Sequence, residues 1–250
     1  MSFLFTHIED DIATVMINRP KVNAINEPLA EELLDCFQDL AKNSQVKAII
    51  ITGEGKFFSF GLDIPEFLTY PRESFIRFTT KFARLYTNMF LHPKPIIAAL
   101  SGHTIAGGCM IATACDTRIM VSGKPRISMN EINFGSSLFP GSVEMLKYWV
   151  GHKNAETVAF TGAMYSAEEA KAIGLVDLVV PPDALADHAL SVARQFALRY
   201  GPAFESIKAL LRREVGDLMK RKDELYGPDM VDIWYSETTW KQLQNIKIHA

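Results

Sequence analysis

Cysteine is scarce: the 250-residue chain has three, Cys36, Cys109 and Cys115, and none stands in a Cys-x-x-Cys pair. An odd, scattered count argues against a disulfide framework or a zinc site. It leaves Cys109 and Cys115 to act as small buried apolar residues in a reducing compartment. Long hydrophobic runs are also missing, so the chain is not expected to cross a bilayer. No basic segment and apolar core precede Phe3–Ile8, which gives an expected location that is intracellular and cytoplasmic, or mitochondrial or peroxisomal if a presequence has been removed. A net charge of −3 gives no reason to expect nucleic acid or an anionic membrane as partner. His7, His92, His152, His188 and His249 are scattered without metal-ligand spacing, so no metal is expected. Gly53-Glu-Gly-Lys56 is too short for a phosphate-binding P-loop. Ser101 and His103 lie two apart, but no Gly-x-Ser-x-Gly elbow accompanies them. Internal repeats and low-complexity segments are absent as well.

What remains is an apolar content of 48% and a charged content of 22%, the balance of a soluble globular protein with a sizeable core. Residues 3–8 and 12–18 read as a hairpin around Glu9-Asp10-Asp11. Asn26 offers an N-cap to a helix whose face carries Leu29, Leu33, Leu34, Phe37 and Leu40. Val46–Thr52 reads as a buried strand, and Asp63 with Pro65 suits a short helix. After Pro71, the stripe Phe75, Phe78, Phe82, Leu85, Met89 and Phe90 has helical spacing and reads as core, part of which could face an apolar ligand. Pro95–Leu100 and Thr117–Val121 are further strands, so strand and helix alternate over the first 120 residues, which predicts an α/β layered core. Beyond 141 the pattern turns helical: 142–150, 154–160, 166–172, 183–199, 202–213 and 223–245, with a strand at Val176–Val180. A soft boundary near 190 separates residues 1–190 from a C-terminal helical region, 191–250.

The stretch Gly102–Asp116 organises the rest. A strand, the pair Gly107-Gly108 and an apolar helix place bare backbone N–H groups at a helix N-terminus, where negative charge is favoured. The same glycines also suit tight helix–strand packing. Ser59-Phe-Gly-Leu-Asp63 and Ile105-Ala-Gly-Gly-Cys109 share one design, each following a strand and opening a helix. Two such loops side by side could aim two N–H groups at one oxygen, an oxyanion hole for an enolate or tetrahedral oxyanion.

These loops, together with Pro20–Ala24, Phe58–Ile64, Arg118-Ile119, Asn130–Gly135, Phe160–Gly162, Ala167–Ala172 and Gly174–Val179, resemble the crotonase (enoyl-CoA hydratase/isomerase) superfamily from the first strand to about residue 245. The resemblance implies a spiral of β-β-α repeats with C-terminal helices packing in a homotrimer or hexamer. It implies an acyl-CoA thioester substrate, with coenzyme A part of the substrate and no separate cofactor. Matched position by position, Leu62 and Gly107 supply the oxyanion-hole N–H groups, and Lys56 and Phe60 fall to the CoA portion. Family hydratases usually carry two glutamates, at the positions of Met110 and Glu131; here only Glu131 remains. That pattern is similar to single-glutamate Δ3,Δ2-enoyl-CoA isomerases, as is the run Val231–Glu237. Glu131 flanked by Met110, Phe134, Leu138 and Phe139 is expected in an apolar pocket that raises its pKa. A hydratase, another chemistry at Glu131, and a non-catalytic acyl-CoA-binding member stand as alternatives. The apolar residues Leu210, Leu211, Leu218, Met219, Leu225, Trp234 and Trp240 are expected to form the assembly surface.

Overall fold

The computed structural model describes residues 2–247. The chain begins with β1 (Leu4–Glu9) and β2 (Ile12–Ile17), an antiparallel hairpin. Its two-residue turn holds Asp10 and Asp11 at φ 47° and 58°, the doubly left-handed geometry that matches strand twist and that Asp tolerates. Helix α1 (Glu27–Lys42) starts at Asn26, whose side chain accepts the Leu29 N–H at 3.1 Å. Strands β3 (Ala48–Gly53) and β4 (Phe57–Ser59) lead to α2 (Ile64–Phe67), capped by Asp63, and to α3 (Arg72–Phe90). Then come β5 (Ile96–Leu100), β6 (His103–Ile105), α4 (Gly107–Ala114), β7 (Thr117–Val121), β8 (Ile127–Ser128) and α5 (Pro140–Thr161).

Three times a strand pair is followed by helix, and each pair divides between two sheets. β3, β5 and β7 join a six-stranded sheet in the order β1-β2-β3-β5-β7-β9, where β9 is Leu178–Val180. β4, β6 and β8 form a three-stranded parallel sheet. This is the β-β-α spiral that the resemblance implies. The large sheet is covered on both faces, as parallel strands require. Ile49, Ile51, Ala98 and Met120 face the main core. Ile50, Ile97, Ala99 and Ile119 pack with Leu185, Ala189 and Ala193 of α7 (Leu185–Ala197).

The small sheet is the part of the spiral not read from periodicity: strands of two or three residues leave no measurable alternation. The C-terminal helices also differ from expectation. The segments expected at 202–213 and 223–245 run together as α8 (Gly201–Trp234), which carries Pro228 in its interior and ends before α9 (Glu237–Leu243). Gly216 looks like a breaker but serves contact: a Cβ there would fall 2.7 Å from Leu91 Cδ1, so its absence lets α8 lie close to the end of α3. The helices expected at 142–150 and 154–160 are two arms of α5, kinked at Gly151 (φ 73°). Short α6 (Ala167–Ala172) opens with a Ser166/Glu169 capping box.

One buried carboxylate ties α8 to the spiral. Asp116, just beyond α4, accepts from Lys208 Nζ at 2.8 Å and Arg212 at 3.0 Å, and from the Ile96 N–H at 2.7 Å. The Arg212 guanidinium also lies against the rings of Phe90, Tyr148 and Trp149. Burial pulls the Lys208 pKa down to about 8, with Asp116 opposing the shift.

Candidate active site

The loop from Ser59 to Asp63 is fixed along one edge. Phe60 N–H donates to Val22 O at 3.0 Å, Ile25 N–H to Gly61 O at 2.7 Å and Asp63 N–H to Ile25 O at 2.9 Å. This alternation uses the peptides on either side of Leu62 and turns the Leu62 N–H away. Gly61 has φ +95°, and a Cβ there would lie 2.8 Å from Ile105 O and 3.0 Å from Gly107 N. Only glycine permits both that conformation and that approach.

The second loop turns at Ala106, whose φ of 49° is unusual for a residue with a Cβ. The Ala106 N–H is held by Ser128 O at 2.8 Å, and Gly107 then opens α4. Among the described residues neither the Leu62 nor the Gly107 N–H has an acceptor. Both sequence readings of the glycine pair apply, one to each residue. A Cβ on Gly108 would stand 2.5 Å from Ser59 O, so Gly108 serves packing, while Gly107 opens onto the cavity.

Glu131 begins a 3-10 turn, Glu131–Phe134, directly after β8. Gly135 closes the turn at φ 73°, the Ser136 N–H donates to Glu131 O, and Thr239 of α9 donates to Gly135 O at 2.6 Å. The Glu131 carboxyl is buried, and its Oε2 has no hydrogen-bond partner among the described residues. Burial pushes its pKa from 4.5 up to about 8, opposed only by its own backbone N–H.

These groups meet around a cavity of about 290 Å³. Of the residues expected from sequence, Leu62, Gly107, Glu131, Phe134, Phe139 and Phe60 line it. Glu131 is the only carboxylate among its described lining residues. Three expected residues stand elsewhere. Met110 is wholly buried in the main core, because α4 is enclosed along its whole length. Leu138 packs half-buried against the same core, and Lys56 is exposed on the loop before β4.

Asn130, Met230 and Trp234 line the cavity and were not read as site residues, while Phe75 is the member of the aromatic stripe that faces it. Met230 and Trp234 are four apart on α8, a spacing that marks one buried face. Trp234 stacks on Phe75 at 4.5 Å between ring centroids, and Met219 is fully buried, so neither is free for an assembly surface. Leu210, Leu211 and Leu225 remain 83%, 62% and 63% exposed.

The discarded motifs have structural duties. The Ser101 hydroxyl donates to Gly53 O, and His103 Nδ1 accepts from the Arg126 N–H. His92 is buried between backbone groups and its pKa falls to about 4. Cys109 and Cys115 are buried free thiols; His249 lies outside the described residues. Among those residues no helix is long and apolar enough to cross a membrane, and no group of three or more His, Cys, Asp or Glu could hold a metal.

A two-sheet β-β-α spiral with two strand-to-helix turns and a buried carboxyl on one cavity is the architecture of a crotonase-type protein. The comparisons narrow this further: residues 7–227 match the family model for enoyl-CoA hydratase/isomerase, and the chain belongs to that family. It is 33% identical over 207 residues to a short-chain-enoyl-CoA hydratase of Clostridium acetobutylicum, covering 82% of this chain and 79% of that one. It is 28% identical over 224 residues to the human mitochondrial Δ(3,5)-Δ(2,4)-dienoyl-CoA isomerase, covering 84% and 68%. The human mitochondrial Δ3-Δ2-enoyl-CoA isomerase structure superposes with a TM-score of 0.92, covering 97% and 96%; at 23% identity it speaks for the fold alone.

Proposed function

We propose that the protein is an acyl-CoA isomerase that shifts a 3-enoyl-CoA double bond to the 2-trans position. The observation that carries this reading is Glu131, the lone carboxylate among the described residues lining the cavity, with a pKa of about 8, on the same cavity as two N–H groups that have no acceptor among those residues. Ionised Glu131 takes a proton from C2, and the electron pair released is shared between the thioester oxygen, through C1, and C4, through the C3–C4 double bond. Leu62 and Gly107 N–H groups hold that oxygen, each donor contributing about 2.7–4 kcal/mol to such a transition state. Protonated Glu131 then returns its proton at C4, leaving the double bond between C2 and C3. Proton and electron pair both balance within the substrate, so the step calls for no added cofactor. Lys56 and Phe60 receive the CoA portion.

A two-acid hydration calls for a second carboxyl to hold and activate the water, and among the described residues lining the cavity there is no second acid. The name of the Clostridium relative favours the hydratase alternative. Incubation with 3-enoyl- and 2-enoyl-CoA esters separates the two. Isomerised product without 3-hydroxyacyl-CoA supports the isomerase; hydration as fast as isomerisation overturns it. A Glu131→Gln variant as active as wild type would remove Glu131 as the proton shuttle, and a wild type that turns over neither ester would be an acyl-CoA binder. A role in breaking down unsaturated fatty acids accords with this chemistry.

The exposed Leu210, Leu211 and Leu225 support a further reading, assembly as a trimer or hexamer. Light scattering at micromolar concentration should give three times the chain mass or a multiple; a stable monomer refutes it.

A further inference from the structure

Three buried side-chain atoms on the lining of the 290 Å³ cavity have no hydrogen-bond partner among the described residues: Asn130 Oδ1, Glu131 Oε2 and Trp234 Nε1. The proposed chemistry uses Glu131. Of the three atoms, the indole nitrogen of Trp234 alone is a donor.

A buried tryptophan N–H ordinarily finds an acceptor. Trp149 of this chain does so, donating to Thr113 O at 2.7 Å. Trp234 is 4% exposed and does not. Its ring is not free to turn toward one. It stacks on Phe75 with 25° between the planes, and Phe75 is itself wedged edge-on between Phe67 and Tyr235, at 5.6 and 5.9 Å between centroids. Trp234 closes α8, and the open space it borders is the cavity.

The rest of the lining says which acceptor fits. In the acyl-CoA reading above, Leu62, Gly107 and Glu131 serve C1 to C4 of the acyl group, so Phe75, Met230 and Trp234 fall to what lies beyond C4. No Lys, Arg or His lines the cavity among the described residues. A carboxylate beyond C4 would therefore lack a counter-charge and share one cavity with Glu131. A plain hydrocarbon chain would shut the N–H away from water with nothing to accept it. A neutral carbonyl or hydroxyl oxygen avoids both penalties.

We infer that Trp234 is a specificity-determining residue, its indole N–H reading an uncharged oxygen, carbonyl or hydroxyl, on the acyl chain beyond C4. This names the substrate class within the acyl-CoA reading and rests on it. An oxygenated chain gives the N–H its acceptor. An unsubstituted chain of equal length leaves it buried and unmet, the situation in which binding sites discriminate most strongly.

Saturated esters test this without turnover, so binding is read separately from isomerisation. Octanoyl-CoA, its 5-, 6- and 7-oxo derivatives and octanedioyl-CoA are titrated calorimetrically into the full-length wild type and Trp234→Phe, which keeps an aromatic ring against Phe75 and drops the N–H. For at least one oxo ester, the affinity ratio to octanoyl-CoA should fall roughly three- to tenfold in the variant; taking the ratio cancels the space left by the indole. In wild type carrying isotope-labelled tryptophan, that oxo ester should move the Trp234 indole proton downfield and octanoyl-CoA should not. The signal is found by its loss in Trp234→Phe or, should that variant not fold, by elimination through Trp149→Phe and Trp240→Phe. Ratios equal in both proteins, an indole signal that no oxo ester moves further than octanoyl-CoA does, or octanedioyl-CoA as the tightest ligand overturns the inference. If no ester binds at all, the acyl-CoA reading itself falls, and the inference with it.

Discussion

Glu131→Gln tests the site through folding stability as well as rate. The carboxyl has a pKa of 4.5 when unperturbed and about 8 in the native cavity. Below pH 4.5 both states hold the proton and the group is neutral to stability. Between 4.5 and 8 the unfolded chain releases its proton while the native one keeps it, so stability falls as pH rises and levels off above 8. At 1.36 kcal/mol per pH unit, this amounts to about 1 kcal/mol at pH 5, about 3 at pH 7 and about 5 at pH 9. Glutamine removes the titration while keeping shape and burial. The stability of Glu131→Gln minus that of wild type should therefore grow by roughly 2–3 kcal/mol from pH 5 to 7 and by only about 1 more to pH 9, because the titration levels off above pH 8. Urea unfolding of both proteins at three pH values and one fixed protomer concentration measures it, because the shared titrating groups cancel. A difference that stays flat with pH would mean that Glu131 is not a desolvated acid, and the proposed chemistry loses its base. The same variant should lose roughly 10²–10⁴-fold in isomerisation, and wild-type kcat/KM should rise with pH toward 8 as the base ionises.

Other expectations follow from the same geometry. Gly61→Ala strains a φ of +95° and drives a methyl to 2.8 Å from Ile105 O; it should cut kcat roughly 10²-fold by misplacing the Leu62 N–H, with CoA-ester affinity little changed. Asp116→Asn leaves Lys208 and Arg212 buried without their counter-charge and should cost about 3–5 kcal/mol in chemical unfolding. Met110→Glu places a carboxyl in a fully enclosed core position. It should lower stability by several kcal/mol, on the order of the penalty for one buried ion, and its product assay should show 3-hydroxyacyl-CoA only if the new acid reaches the cavity.

Sequence and structure agree best where chemistry is local. Asn26 and Asp63 cap their helices through their own side chains, and Gly61 and Gly107 stand where two strand-to-helix turns meet, so neighbouring residues sufficed to find them. Glu131 was legible through the family resemblance, as the one of two glutamate positions that is still an acid, and its raised pKa follows from burial. The roof was not legible, because Met230 and Trp234 reach the cavity from about a hundred residues beyond Glu131, across contacts that no local pattern encodes. Met110 failed for the opposite reason. Helical spacing puts it on the side of Gly107, but spacing says nothing of how deeply α4 is enclosed. The gap expected between 213 and 223 is helical because packing against α3 and α5 outweighs local propensity in α8.

The grip of Asp116 on Lys208 and Arg212 has a consequence for how the chain is made. The carboxylate precedes its first cation by ninety-two residues, and Met230 and Trp234 leave the ribosome later still. Until then a nascent chain holds a finished sheet, an uncompensated acid and the bare aromatic face of α3, the kind of surface that chaperones bind and that aggregates when left uncovered. A premature stop within α8 therefore yields not a slower enzyme but a client of the quality-control machinery.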